Sequence, residues 1–175
     1  LGSCNIEEAA YNLNPHLQAN LTGQLFLVPG NTGNVQNTHE LSQAQDVHLL
    51  NAGCRTLIDT FNLDALVIDT KPGVSQTALV AITVSDTLVI VLRMDQQDYQ
   101  GTSVTMEVVR QLEIPRTVLI VNEAPINFNY DDIKARMEEI YQCEVAAILP
   151  HVDEVTAMAN KDIFALRYPD HALTM

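Results

Sequence analysis

Five short apolar runs alternate with amphipathic stretches along the chain. Residues 24–29, 63–69, 87–92, 117–122 and 145–150 are apolar on consecutive positions and bounded by polar or turn residues, the pattern of strands covered on both faces. Between the first two runs, Val47, Leu50, Cys54, Leu57, Ile58 and Phe61 recur at three- and four-residue intervals, which predicts a long helix with one apolar face. Further helices are predicted over 76–83 and over 102–112, the latter with Val104, Val108 and Leu112 on one stripe. A last one carries Ile133, Met137, Ile140 and Tyr141, with Asp131 or Asp132 as its cap. Strand, helix, strand repeated in this way gives right-handed crossovers. The expected fold is therefore α/β, a doubly wound, mainly parallel sheet with helices on both faces. No internal repeat or low-complexity segment interrupts it, so residues 1–175 read as a single domain, with Gly30-Asn31-Thr32-Gly33-Asn34 as its loosest connection.

Open α/β sheets collect ligands in the crevice outside the carboxyl ends of their strands, which directs attention to what stands there. Leu66-Val67-Ile68-Asp69 ends one run in a carboxylate, and Thr70-Lys71-Pro72-Gly73 follows as a loop freed by its glycine. Asp69 also reads as a cap for the helix that begins near Ser75. Asn122 ends another run. It is either a turn residue or an amide offering a donor and an acceptor together, as a purine edge requires. Pro150 terminates the last run, and Lys71 reads as a partner for surface carboxylates. His16, His39, His48, His151 and His171 show no paired spacing on a helix face, so no zinc site is expected. Ser75 and Ser85 lack a Gly-x-Ser-x-Gly elbow, and no Cys/His pair has a nucleophile's local signature.

Composition narrows the partners. Nine Lys and Arg against twenty-two Asp and Glu give a net charge of −13, which repels a phosphate backbone and an anionic lipid surface. Direct nucleic-acid or membrane contact by this segment is not expected. No apolar run approaches a bilayer span and no leader-like stretch opens the chain, so the expected location is cytoplasmic. Cys4, Cys54 and Cys143 are odd in number and widely spaced, which reads as reduced thiols.

Taken in order, these segments resemble the MinD/ParA family of P-loop ATPases. Leu66 to Gly73 resembles the family's Walker B-like switch II segment, with Lys71 where a first Pro is usual. Val118-Leu119-Ile120-Val121-Asn122 resembles the strand whose terminal Asn reads adenine, although Glu123 stands where a basic residue usually follows. Ala147-Ile148-Leu149-Pro150 resembles the strand that flanks the base, Ile163 to Pro169 the lead into the last helix, and Leu1 to Ala9 the stretch after switch I. The resemblance implies ATP and magnesium as cofactors. It implies Asp69 as the catalytic carboxylate holding magnesium through water, Gly73 at the γ-phosphate, and Asn122 and Pro150 in the base pocket. It also implies a homodimer formed face to face across ATP, with hydrolysis timing the positioning of a cargo such as a division site, plasmid or chromosome, and a cargo or activator protein as partner.

The family's phosphate loop, Gly-x-x-x-x-Gly-Lys-[Ser/Thr], occurs nowhere in the sequence. The chain is therefore expected to be the carboxy-terminal portion of such an ATPase, without its amino-terminal strands and unable to hold ATP alone. Two other classes stay open. One is a phosphoacceptor receiver domain with Asp69 as acceptor, which needs an acidic pair after its first strand and a Lys ending its fifth, where Pro29-Gly30-Asn31 and Leu149-Pro150-His151 stand. The other is a non-catalytic interaction module on the same fold.

Overall fold

An apolar run becomes a strand only where a second strand takes up its backbone hydrogen bonds, and that requirement sorts the five runs. The computed structural model describes residues 4–17, 21–30, 43–112, 114–159 and 161–174. The loop at 31–34 and His39 lie outside them. The chain divides into two units, Leu1–Thr70 and Lys71–Met175.

In the first unit the 24–29 run contributes only Phe26–Leu27 (β2), paired antiparallel with Tyr11–Asn12 (β1). The parallel strand expected there is replaced by a two-residue ladder with a partner that periodicity did not suggest. Asn14 fixes the closure: its Nδ2 donates to the Gly23 carbonyl at 2.7 Å and its Oδ1 accepts from the Leu25 N–H at 2.8 Å. Two short 3₁₀ turns, Glu7–Ala9 and Asn14–His16, flank β1. The long helix is Gln43–Phe61 (α1). It buries Leu57, while Ile58, expected on the same face, is 40% exposed. Phe61 stacks on Phe26 with ring centroids 4.4 Å apart. Gly53 permits a close approach, since a Cβ there would stand 2.8 Å from Ile6 Cδ1.

The 63–69 run is a correction. It forms no ladder with any described residue, because an apolar run does not by itself supply the neighbouring strand that its backbone needs. Leu66 and Ile68 are half-buried, whereas Val67 between them is 90% exposed.

The second unit begins with Gln76–Thr83 (α2), the bounds that the pattern predicts. Ser75 caps it, its Oγ accepting from the Ala78 N–H at 3.2 Å. The capping role weighed for Asp69 therefore belongs to Ser75. The chain continues through Thr87–Arg93 (β3), Gln96–Gln111 (α3), Arg116–Ala124 (β4), Tyr130–Tyr141 (α4) and Glu144–Pro150 (β5). It ends with Asp153–Met158 (α5) and Phe164–Arg167 (α6). The sheet order is β3-β4-β5, all parallel, so the three carboxy-terminal runs form adjoining strands with helical crossovers between them.

The main core cluster lies on one face of this sheet. Ile90 and Leu92 of β3, Leu119 and Val121 of β4 and Val145 of β5 pack with Met106 of α3 and with Ile133, Met137 and Tyr141 of α4. Alternate residues of β3, Val89 and Val91, are exposed. Two helix readings shift. The buried stripe of α3 is Thr102, Met106 and Val109, and Val104 points outward at 56% exposure. Helix α4 is capped by Asn129, whose side chain accepts from the Asp131 N–H at 3.0 Å, so Asp131 and Asp132 sit in its first turn, where they favour the helix dipole. Ile140 is exposed, because the buried positions 133, 137 and 141 follow one four-residue row.

All three cysteines are free thiols. Burial pushes the Cys54 and Cys143 thiols up, the Cys143 Sγ–H donates to the Thr117 carbonyl at 3.2 Å, and neither is a ready thiolate. Among the described residues no helix is long and apolar enough to cross a membrane.

Candidate functional site

Parallel pairing brings the carboxyl ends of β3, β4 and β5 side by side, and three of the chemically capable residues meet there. Arg93, the last residue of β3, stands in register with Asn122 of β4. Ala124, two residues on, stands in register with Pro150 at the end of β5. The pairing continues past the strand, with the His151 N–H donating to the Ala124 carbonyl at 2.9 Å. Asn122 and Pro150 are half-buried, so neither is sealed inside the sheet.

The ladder between β4 and β5 slips between Val121 and Ala124, and Glu123 within that slip has φ +54°. Four described non-glycine residues have positive φ: Asn62, Glu123, Gln142 and Ala159. Asn62, Gln142 and Ala159 each follow the last turn of a helix, where a left-handed residue closes the carbonyls. Glu123 interrupts a strand. The left-handed region costs a residue with a Cβ roughly 1–2 kcal/mol, and such cost gathers at functional sites. Glu123→Gly should therefore raise stability by about 0.5–1 kcal/mol, the relief less glycine's own entropy loss. Thermal melts check this, and a lower midpoint would mean that the Glu123 side chain supplies more than its backbone loses.

Arg93 is held by acids from the next helix. Its backbone N–H donates to Asp98 Oδ2 at 2.8 Å, its Nε donates to the same oxygen at 3.3 Å, and its Nη2 lies 3.4 Å from Asp95 Oδ2. Asp95 also caps α3, its Oδ1 accepting from the Asp98 N–H at 2.9 Å. The Arg93 backbone donor, followed by its guanidinium, holds the Asp98 carboxyl below the usual range. The hydrogen bond with Asp98 in turn raises the Arg93 guanidinium, with smaller Coulomb support from Asp95 and Glu123. On the other side, His151 Nε2 lies 3.3 Å from Asp153 Oδ1.

The remaining sequence-derived residues stand on the stretch 69–73. Asp69, in the first unit, is exposed, and no hydrogen bond or ion pair holds its carboxylate among the described residues. Lys71 is likewise exposed and in no ion pair among them. Gly73, in the second unit, has φ +90°, a conformation that a side chain would strain, although an added Cβ would meet nothing within 4 Å. No group of three or more His, Cys, Asp or Glu among the described residues is placed to hold a metal, so a fully protein-ligated ion does not fit.

Arg93, in register with Asn122, is the residue at this end of the sheet that sequence reasoning missed. The available signal was an arginine ending an apolar run with acids two and five residues later. The φ of Glu123 has no sequence signature.

No family model matches the chain, and no curated protein matches it in sequence. Its fold has a solved counterpart among α/β proteins with a parallel sheet flanked by helices, the class that the β3-β4-β5 sheet defines. That counterpart is the MinD cell division protein of Aquifex aeolicus, similar with a TM-score of 0.71 at 14% sequence identity, over 99% of this chain and 66% of that one. At that identity the likeness shows a MinD-like fold. The chain spans 66% of the length of the protein it matches.

Proposed function

We propose that the chain is the carboxy-terminal portion of a MinD/ParA-like ATPase that binds ATP with magnesium and uses hydrolysis to position or partition a cellular cargo. The observation that carries this reading is the placement of Asn122 and Pro150 near the carboxyl ends of adjoining parallel strands, in a chain with a MinD-like fold. A half-buried amide beside a strand-end backbone is the equipment for a purine: the amide donates to one edge atom and accepts from the next. By the family resemblance, Asp69 would hold magnesium through water and the Gly73 backbone would serve the terminal phosphate. Magnesium, when bound, supplies charge neutralisation to the transferring group. Since the sequence holds no phosphate loop, the cradle for the triphosphate comes from a segment of the intact protein that this chain lacks. Homodimerisation across the nucleotide, a cargo or activator protein as partner and a cytoplasmic location belong to the same proposal.

The test is made on the intact protein. Asn122→Ala leaves part of the adenine edge unpaired, which costs about 1–3 kcal/mol for a buried polar group. ATP affinity should fall by that amount, inorganic tripolyphosphate affinity should hold, and the preference for ATP over GTP should shrink. Calorimetric titration measures all three. Equal losses for every ligand would assign Asn122 to folding, and a wild type that binds no nucleotide would leave a non-catalytic module on this fold.

A further inference from the structure

We propose that the turn after β4 docks a partner protein through Ile126 and Phe128, and that the partner presents a cationic segment with an apolar face. The inference goes beyond the nucleotide reading and does not rest on it. Two large apolar side chains stand in the open here, Ile126 at 74% exposure and Phe128 at 56%. The turn that carries them is held at both ends. The Phe128 N–H donates to the Pro125 carbonyl at 3.3 Å, and Ala124 just before it is fully buried. On the other side Asn129 caps α4 and Tyr130 packs against the core cluster. A turn fixed in this way has less freedom to lose on binding, and a partner that covers both side chains takes their apolar surface out of water.

Charge defines the chemistry of the occupant. From Thr117 to Ile133 the sequence holds Glu123, Asp131 and Asp132 and no Lys or Arg; from Val145 to Ala159 it holds Asp153 and Glu154 and again no Lys or Arg. The two stretches meet, since β4 and β5 adjoin and the His151 N–H donates to the Ala124 carbonyl at 2.9 Å. All five carboxylates are exposed. Among the described residues no ion pair holds Glu123, Asp131, Asp132 or Glu154, and Arg93, in register with Asn122, is taken by Asp95 and Asp98. The field beside the turn therefore draws cations. It repels an anionic lipid surface and a second copy of a chain whose net charge is −13. An apolar pair among carboxylates that no base neutralises fits a protein segment with Lys or Arg set around apolar residues.

The test is made on the intact protein without nucleotide, so its failure leaves the ATP reading untouched. The probe is a fluorescein-labelled helical peptide of Leu and Lys with one apolar face, with oligolysine of the same length as control, and fluorescence anisotropy reads binding. The Leu/Lys peptide should bind more tightly than oligolysine. Phe128→Ala should weaken it about tenfold, the loss expected for a buried anchor, and leave oligolysine unchanged. Asp131→Asn combined with Asp132→Asn should weaken both peptides. The melting temperature of Phe128→Ala should stay close to the wild type, as the side chain is exposed. Equal affinity of the wild type for the two peptides, or a Phe128→Ala variant that binds the Leu/Lys peptide as the wild type does, would overturn the proposal. Phe128-dependent binding to phosphatidylcholine vesicles, or Phe128-dependent self-association in sedimentation, would overturn it in favour of a membrane or a second copy.

Discussion

Asp69→Asn in the intact protein is expected to slow ATP hydrolysis by about a hundredfold or more while ATP affinity changes far less. The substitution keeps the shape of the side chain and removes its charge. On the proposed reading the negative charge would orient water on magnesium, and its value would be greatest when charge moves in the transition state, so the loss should fall on turnover before binding. The structure makes the comparison clean. Asp69 is exposed and no described residue hydrogen-bonds to its carboxylate, and the cap of the following helix is Ser75, so the substitution removes no contact that folding uses. Surface changes of that kind stay within about 0.5 kcal/mol. Steady-state turnover with a parallel thermal melt decides the matter. Near-normal turnover would remove Asp69 from the chemistry, and a melt lowered by more than about 1 kcal/mol would reveal a structural role.

The sequence was most legible where local chemistry and tertiary placement agree. Helix α2 runs over the expected residues because Ser75 supplies a side-chain acceptor where the apolar period begins. The strands β3, β4 and β5 were readable because each is apolar on successive positions, and β4, with a neighbour on either side, buries Val118, Leu119 and Val121 with Ile120 half-buried between them. The start of α3 was not legible. Gln96 to Gln100 is polar and shows no stripe, and the helix begins there because Asp95 caps it while Arg93 anchors Asp98. Residues 63–69 show the opposite failure, since Leu66, Val67 and Ile68 have strand composition without a described partner.

The candidate site divides along the same line. Asn122 and Pro150 were visible as residue types ending apolar runs, and their meeting followed once those runs became adjoining parallel strands. The pairing of Arg93 with Asn122 depends on register, a property of two strands at once. The left-handed turn at Glu123 depends on the slip between β4 and β5. Neither is written in any local stretch.

The largest stability effect is expected at Leu119, in the middle of β4. Its side chain is 0% exposed, and it belongs to the cluster shared by all three strands, α3 and α4. Truncation to Ala removes three heavy atoms from a site that cannot collapse, because the ladders to β3 at Ile90 and to β5 at Val145 hold the backbone on both sides. The cost combines lost transfer energy with the cavity left behind, about 3–4 kcal/mol for a fully enclosed leucine. That is a large share of the 5–15 kcal/mol by which domains are stable. Val104 on α3 is the matched control: it is 56% exposed, it was expected on the apolar stripe, and Val104→Ala should cost about 0.5 kcal/mol or less. Urea unfolding followed by circular dichroism, with the slope compared alongside the midpoint, separates the two. If Leu119→Ala costs no more than Val104→Ala, the stripe read from sequence periodicity and not the observed core would describe how α3 packs on the sheet.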